Sequence, residues 1–149
     1  MRLKKLFDEG RLRKHKTSAR EIAELLAIVD RDLKDADQRV LSVDRRFATA
    51  YNAALQLATI VLHAAGYRTT GHAHHWATFH ILPEVMGSKS LDLADYLDAC
   101  RTKRNVADYD RAGEVSEVEM AEILDKVRKF RADLIEWLRS RYPDLLSSG

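Results

Sequence analysis

Apolar residues recur three and four positions apart through most of this 149-residue chain, and this spacing restricts its fold more than any other feature. Residues at such spacing lie on one face of a helix, because an α-helix turns once in about 3.6 residues. The longest stripe runs from Phe47 to Leu62, and its many alanines allow neighbouring helices to approach closely. Only 2 Pro and 6 Gly leave little room for turns. The sequence therefore predicts a few long helices.

Two capping boxes indicate where helices begin. Ser18 with Glu21, and Ser116 with Glu119, each place a hydroxyl and a carboxylate three residues apart ahead of an apolar stripe. No strand pattern and no internal repeat is visible. We therefore predict an all-α fold, an up-and-down antiparallel bundle of about five helices. The predicted helices cover about residues 18–37, 42–65, part of 71–87, 91–111 and 116–141.

The length is that of one domain, with a basic segment at its N-terminal side. We expect residues 1–16 to be a basic arm or short helix, 17–143 to be the bundle and 144–149 to be a C-terminal tail. The first 20 residues hold eight Lys or Arg and two Asp or Glu, so they carry +6 against −4 for the remainder. Such an arm could touch nucleic acid or an anionic surface. Its single aromatic residue offers little stacking to a single strand, which favours a solvated, frayed arm.

Two absences in the sequence bear on its location. No apolar run is long enough to cross a membrane, and no apolar segment follows the basic residues as in a secretory signal. Cys100 has no second cysteine with which to form an internal disulfide, and a buried thiol is the expected role. We expect a cytoplasmic protein without a membrane contact.

Four histidines, His72, His74, His75 and His80, fall within nine residues. A zinc site needs three or four convergent ligands, and Glu84 is the only acidic residue nearby. We therefore predict no metal site and no cofactor. The histidines are expected to cap a helix start or to line a groove.

Arg101, Arg104 and Asn105 share one helix face, with Asp108 and Tyr109 one turn further on. Two guanidiniums beside an amide and a phenol suit a phosphate group, since arginine offers a planar fork that matches phosphate oxygens. An ordinary salt bridge between Arg104 and Asp108, with Asn105 solvated, is the alternative.

Arg45 and Arg46 lie in the first turn of the second predicted helix, where the helix dipole disfavours cations. Either a bound anion or placement at the surface would account for them.

The run Arg101-x-x-Arg104-Asn105-x-x-Asp108-Tyr109, late in an all-helical chain, resembles the HEPN family (higher-eukaryote and prokaryote nucleotide-binding helical domain). Arg45-Arg46-Phe47, followed by Ala50-Tyr51-Asn52-Ala53, is similar to that family's second helix, and the similarity covers about residues 18–142. The resemblance implies a small helical bundle, often a dimer. The resemblance implies a metal-independent ribonuclease, since many members carry an Arg, then a polar residue, then a His about five positions later. In this chain Tyr109 occupies that place.

The resemblance implies two groups of site residues. Arg104, Asn105 and Tyr109 would be catalytic. The phosphate- or RNA-binding residues would be Arg101, Arg45, Arg46, His74 and His75. Either His74 or His75 could supply the imidazole that is missing at Tyr109.

The implied function is RNA binding or metal-independent RNA cleavage in a toxin–antitoxin or defence system, with a homodimer as the working form. The alternatives are a non-catalytic module that partners a small nucleotidyltransferase, and a nucleotide-binding homodimer. The sequence leaves catalysis open.

Overall fold

The computed structural model describes residues 2–70, 74–109 and 115–146 of the chain. Most of these residues are helical, which confirms the expected all-α class. Two short 3₁₀ turns, Ser88–Ser90 and Pro143–Leu145, flank the C-terminal half. The helices are α1 (Arg2–Asp8), α2 (Ala19–Ala36), α3 (Val43–Ala64), α4 (His74–His80), α5 (Leu82–Met86), α6 (Leu91–Tyr109) and α7 (Glu117–Arg141). Among these helices, none is both long enough and apolar enough to cross a lipid bilayer.

Helix α3 is the centre of the fold, since α2, α4, α5, α6 and α7 all pack against it. Its small side chains, Ala50, Ala53, Ala54 and Ala58, are completely buried, as expected where helices approach closely. Helices α2 and α3 are antiparallel, because the end of α2 contacts the beginning of α3 and the beginning of α2 contacts the end of α3. Further core residues are Ile22, Val29, Phe47, Leu57, Ile60, Val61, Leu97, Met120, Ile123, Val127, Phe130, Leu134 and Leu138.

A two-stranded antiparallel sheet joins the N-terminal segment to the residues after α3. Strand β1 (Leu12–Lys14) pairs with β2 (Tyr67–Thr69), with Arg13 opposite Arg68. The sequence did not predict these strands, because three residues are too few for an alternating pattern to be visible. The sheet and α1 enclose a second small core. It contains Leu6, Leu12, Leu62, Ala77 and Ile81. Contrary to the expectation of a frayed arm, residues 2–14 pack against the helices.

The two predicted capping boxes have different outcomes. At α7 the box is complete, with Ser116 and Glu119 exchanging both hydrogen bonds. At α2, Ser18 Oγ accepts from the backbone N–H of Glu21, as predicted. The carboxylate of Glu21 instead contacts Thr17 and His15, in the preceding segment, and His63 of α3.

Candidate functional site

The buried phenol of Tyr51, in the middle of α3, is the centre of the candidate site. Its side chain is 1% exposed and its ring meets Phe79 edge-on, with centroids 5.8 Å apart. A buried hydroxyl needs a hydrogen-bond partner. The partner is His75, at the beginning of α4, whose Nδ1 lies 3.0 Å from the Tyr51 hydroxyl.

Arg104, on α6, contacts the same tyrosine through its ring. The guanidinium carbon lies 5.5 Å from the Tyr51 ring centroid, which is within the range of a cation–π interaction. Arg104 and His75 are therefore held on one buried side chain, the arginine at the ring and the histidine at the hydroxyl. The structure brings these two predicted site residues together.

Arg101 lies one turn before Arg104 and is anchored by Asp98. Arg101 Nε donates to Asp98 Oδ1 over 3.0 Å, and the other carboxylate oxygen lies 3.7 Å from His80 Nε2. His80 stacks on Trp76, with ring centroids 4.4 Å apart. This chain of contacts fixes Arg101 while its side chain remains 31% exposed, so that it is accessible to a ligand in solution.

The charges around Tyr51 create a locally positive environment. Burial raises the pKa of the Tyr51 phenol well above its ordinary value, and the positive charges of Arg104 and Arg101 only partly offset this effect. The phenol is therefore neutral at physiological pH. The guanidinium of Arg104 lies over the ring, the charge of Arg101 also acts on the phenol, and the carboxylate of Asp98 opposes them. Such an arrangement attracts anions.

The structure separates Arg46 from this cluster. Arg46 is 5% exposed, its Nε donates to the carbonyl oxygen of Ala36 over 2.8 Å, and its Nη1 lies 3.7 Å from Glu117 Oε2. Its cation therefore meets the negative end of the α2 dipole, which accounts for its position without a bound anion. Arg45 is exposed, and its backbone N–H donates to the Ser42 cap. Among the contacts given by the described residues, neither arginine reaches Tyr51.

The remaining predicted residues are placed only in part. Asn105 is half-buried beside Arg104. The side chains of His74, Asp108 and Tyr109 lie outside the described part of the structure, as does His72. The predicted salt bridge between Arg104 and Asp108 therefore falls outside it too.

The role of Tyr51 is not visible in the sequence. Tyr51 belongs to the second-helix pattern, and nothing in the local sequence indicates that α4 and α6 both place a polar residue against it. A second group also escaped notice. His15, Glu21 and His63 converge at the other end of α3, with one possible ligand atom from each within 4.8 Å of the others.

Comparison of the chain with protein-family models, curated proteins and solved structures finds no match. The candidate function therefore depends on the geometry of the site and on the sequence resemblance.

Proposed function

We propose that Tyr51, His75, Arg104 and Arg101, hereafter the Tyr51 cluster, bind the phosphate backbone of RNA. We further propose that the chain is a HEPN-family, metal-independent endoribonuclease. The observation that carries this proposal is the placement of His75 and Arg104 on one buried tyrosine. An imidazole and a guanidinium that contact the same side chain suit metal-free RNA cleavage. The imidazole can move a proton and the guanidinium can stabilise phosphate charge.

In the proposed reaction, the 2′-hydroxyl of the RNA attacks the adjacent phosphorus. His75 Nε2 takes the hydroxyl proton when Nδ1–H donates to the Tyr51 hydroxyl oxygen, because this tautomer places the lone pair on Nε2. The new bond gives a 2′,3′-cyclic phosphate, and the bond from phosphorus to the 5′-oxygen breaks. Tyr109 would donate a proton to the departing 5′-oxygen as general acid.

Arg104 and Arg101 would stabilise the charge on the phosphorane oxygens. Removal of one such donor costs roughly a hundred- to a thousandfold in rate in other enzymes. Asn105, half-buried beside Arg104, would orient the phosphate or the base. The Tyr51 phenol stays neutral and acts as a positioning residue, since it sets the tautomer of His75 and supports the guanidinium of Arg104.

The test is cleavage of a short single-stranded RNA in excess EDTA. We expect products that end in cyclic phosphates, no cleavage when the 2′-hydroxyls are replaced by hydrogen, and at least a hundredfold slower cleavage by Arg104→Ala. Arg20→Ala is the matched control, because Arg20 is 91% exposed and pairs with Glu24 one turn away. Cleavage that requires a divalent ion, or that survives in Arg104→Ala, would contradict the proposal.

The role of His75 needs its own variant. His75→Ala should be as inactive as Arg104→Ala yet still bind RNA, since the guanidiniums remain. Tyr51→Phe should retain the cation–π contact and lose the orienting hydrogen bond, so we expect a lower kcat with little change in KM. His15→Ala, which removes an imidazole elsewhere, should cleave as the wild type does. Full activity in His75→Ala would reject His75 as the base.

A second candidate function is a non-catalytic module that pairs with a small nucleotidyltransferase. The specific observation in its favour is Tyr109, which stands where the family places a histidine. This alternative predicts RNA or nucleotide binding without cleavage, and copurification with a nucleotidyltransferase encoded nearby. A third candidate function is that of a nucleotide-binding homodimer. Light scattering at micromolar concentration tests whether the protein is a dimer.

A further inference from the structure

Three side chains from separate elements converge at the end of α3 that lies furthest from Arg46. His63 belongs to the last turn of α3, Glu21 to the first turn of α2, and His15 to the segment between β1 and α2. Glu21 Oε1 lies 2.7 Å from His15 Nε2 and 3.0 Å from His63 Nδ1. The two imidazole rings have centroids 4.4 Å apart. Their ligand atoms and the carboxylate oxygen all lie within 4.8 Å of one another.

Two imidazoles and one carboxylate are a ligand set that zinc uses in open sites, with a water in the fourth position. Tetrahedral bonds of about 2.0–2.1 Å place neighbouring ligand atoms roughly 3.3–3.4 Å apart. The observed separations of 2.7 and 3.0 Å would therefore have to open by about half an ångström. Small side-chain rotations achieve this, because all three residues are only half-buried.

The surroundings fit a cation better than an anion. Thr17 Oγ1 donates to Glu21 Oε1 over 2.7 Å, which is the kind of outer hydrogen bond that orients a metal-binding carboxylate. The carboxylate of Glu21 supplies the negative charge of the group, and both imidazoles contact the same carboxylate oxygen.

We propose that His15, Glu21 and His63 form a zinc site with one open position, held by the first turn of α2 and the last turn of α3. This site is independent of the Tyr51 cluster and of the proposed RNA cleavage, which uses no metal. It also differs from the histidine-rich segment that the sequence singled out, because His15 and His63 lie far apart in sequence and meet only in the fold.

The first experiment titrates Co²⁺ into untagged protein that has been stripped with EDTA and dialysed. We expect one equivalent to bind with micromolar or tighter affinity, with the intense visible absorption of a four-coordinate ion, and to be displaced by Zn²⁺. Zinc at about a hundred times its Kd should raise the Tm by roughly 5–10 °C. No visible band and no change in Tm at millimolar metal would overturn the proposal.

Variants locate the metal. Glu21→Gln and His63→Gln should each weaken Co²⁺ binding by about a hundredfold or more, since each loses a direct ligand. His75→Ala is the matched control and should bind Co²⁺ as the wild type does. Wild-type affinity in Glu21→Gln would refute this site, and lost binding in a folded His75→Ala protein would place the metal at His75 instead.

A substitution outside the three ligands tests the site even if the ligand variants do not fold. Thr17→Val keeps all three ligands and removes only the hydrogen bond to Glu21, so it should fold and bind Co²⁺ roughly tenfold more weakly. Affinity equal to that of the wild type in a folded Thr17→Val protein would contradict the proposed orienting role of Thr17. Far-UV circular dichroism establishes folding for each variant.

Discussion

Helix α3 contributes to two histidine clusters in opposite electrostatic surroundings. At Tyr51, the His75 ring lies in a group that includes the guanidiniums of Arg104 and Arg101. At His63, two imidazoles share one oxygen of Glu21. The two positions on α3 are twelve residues apart, or about 18 Å along the helix axis.

The difference shows that the neighbours of a histidine, more than the histidine itself, decide its chemistry. Beside guanidiniums, an imidazole faces a site that attracts anions, and it can exchange a proton with a bound phosphate ester. Beside a carboxylate, the same ring becomes part of a negatively charged set that attracts a metal ion. Each cluster should therefore respond to its own ligand and ignore that of the other.

The largest expected effect is the loss of stability caused by Tyr51→Ala in the Tyr51 cluster. Removal of this ring leaves a cavity beside Phe79 and takes away the support of both His75 and Arg104. We expect a loss of about 3–5 kcal/mol in the free energy of unfolding, with the Tm lower by roughly 10 °C. Thermal melts measure the loss, and the folded variant should retain the wild-type Co²⁺ affinity of the other cluster. Weaker Co²⁺ binding would show that the two clusters are coupled.

The next largest effect tests whether Arg46 lies outside the Tyr51 cluster. Arg46→Ala should cost about 2–3 kcal/mol of unfolding free energy, because the carbonyl of Ala36 loses a buried, charged donor. Arg45→Ala, at the exposed neighbouring position, is the control and should leave stability within about 0.5 kcal/mol of the wild type. Urea titration measures both. Weaker RNA binding by a fully folded Arg46→Ala protein would extend the site to Arg46.

A smaller effect concerns the dependence of RNA affinity on salt. Each phosphate neutralised on a single strand contributes about −0.7 to the slope of log K against log salt concentration. We expect Arg104→Ala to reduce the slope by about this amount and Glu21→Gln to leave it unchanged. Fluorescence anisotropy between about 50 and 200 mM salt gives the slopes. Equal slopes for wild type and Arg104→Ala would remove Arg104 from the phosphate contacts.

The smallest effect is one of pH on the phenol. Burial raises the pKa of Tyr51 above its ordinary value, so the native phenol remains protonated where the unfolded one begins to ionise, near pH ~10. Its contribution to stability is therefore complete below about pH 9 and declines as the pH rises further. The difference in unfolding free energy between wild type and Tyr51→Phe, measured by urea titration, should be constant from pH 7 to 9. A change within that range would indicate that the native phenol titrates there.

The class of the fold could be predicted from sequence because helix signals are local. Apolar spacing and caps located α2, α3 and α7 to within a few residues, and Pro143 follows the end of α7 as such residues do. The strand pair was missed, since three-residue strands acquire their identity only from a partner distant in sequence. The cap at Ser18 shows the same limit. The local motif correctly predicted that the Ser18 hydroxyl caps α2. The carboxylate of Glu21, however, contacts His15 and His63 instead of the backbone of Ser18.

The candidate site could be predicted only where its residues share one helix. Arg101 and Arg104 are one turn apart on α6, so their spacing alone placed them together. The importance of Tyr51 depends on how α4 and α6 approach α3, and no local pattern encodes that approach. Arg46 illustrates the converse. Its position in a first turn suggested either a bound anion or placement at the surface, whereas Arg46 is buried and the end of α2 is its partner.

The pairing of β1 with β2 has a consequence for the order of events during synthesis. Residues 12–14 are translated before their backbone partners, residues 67–69, which leave the ribosome only after all of α3. Until then residues 12–14 lack their partner strand, so their amides remain hydrated and Leu12 remains exposed. In a ribosome-stalled nascent chain that ends before residue 67, residues 12–14 would therefore remain without their partner strand.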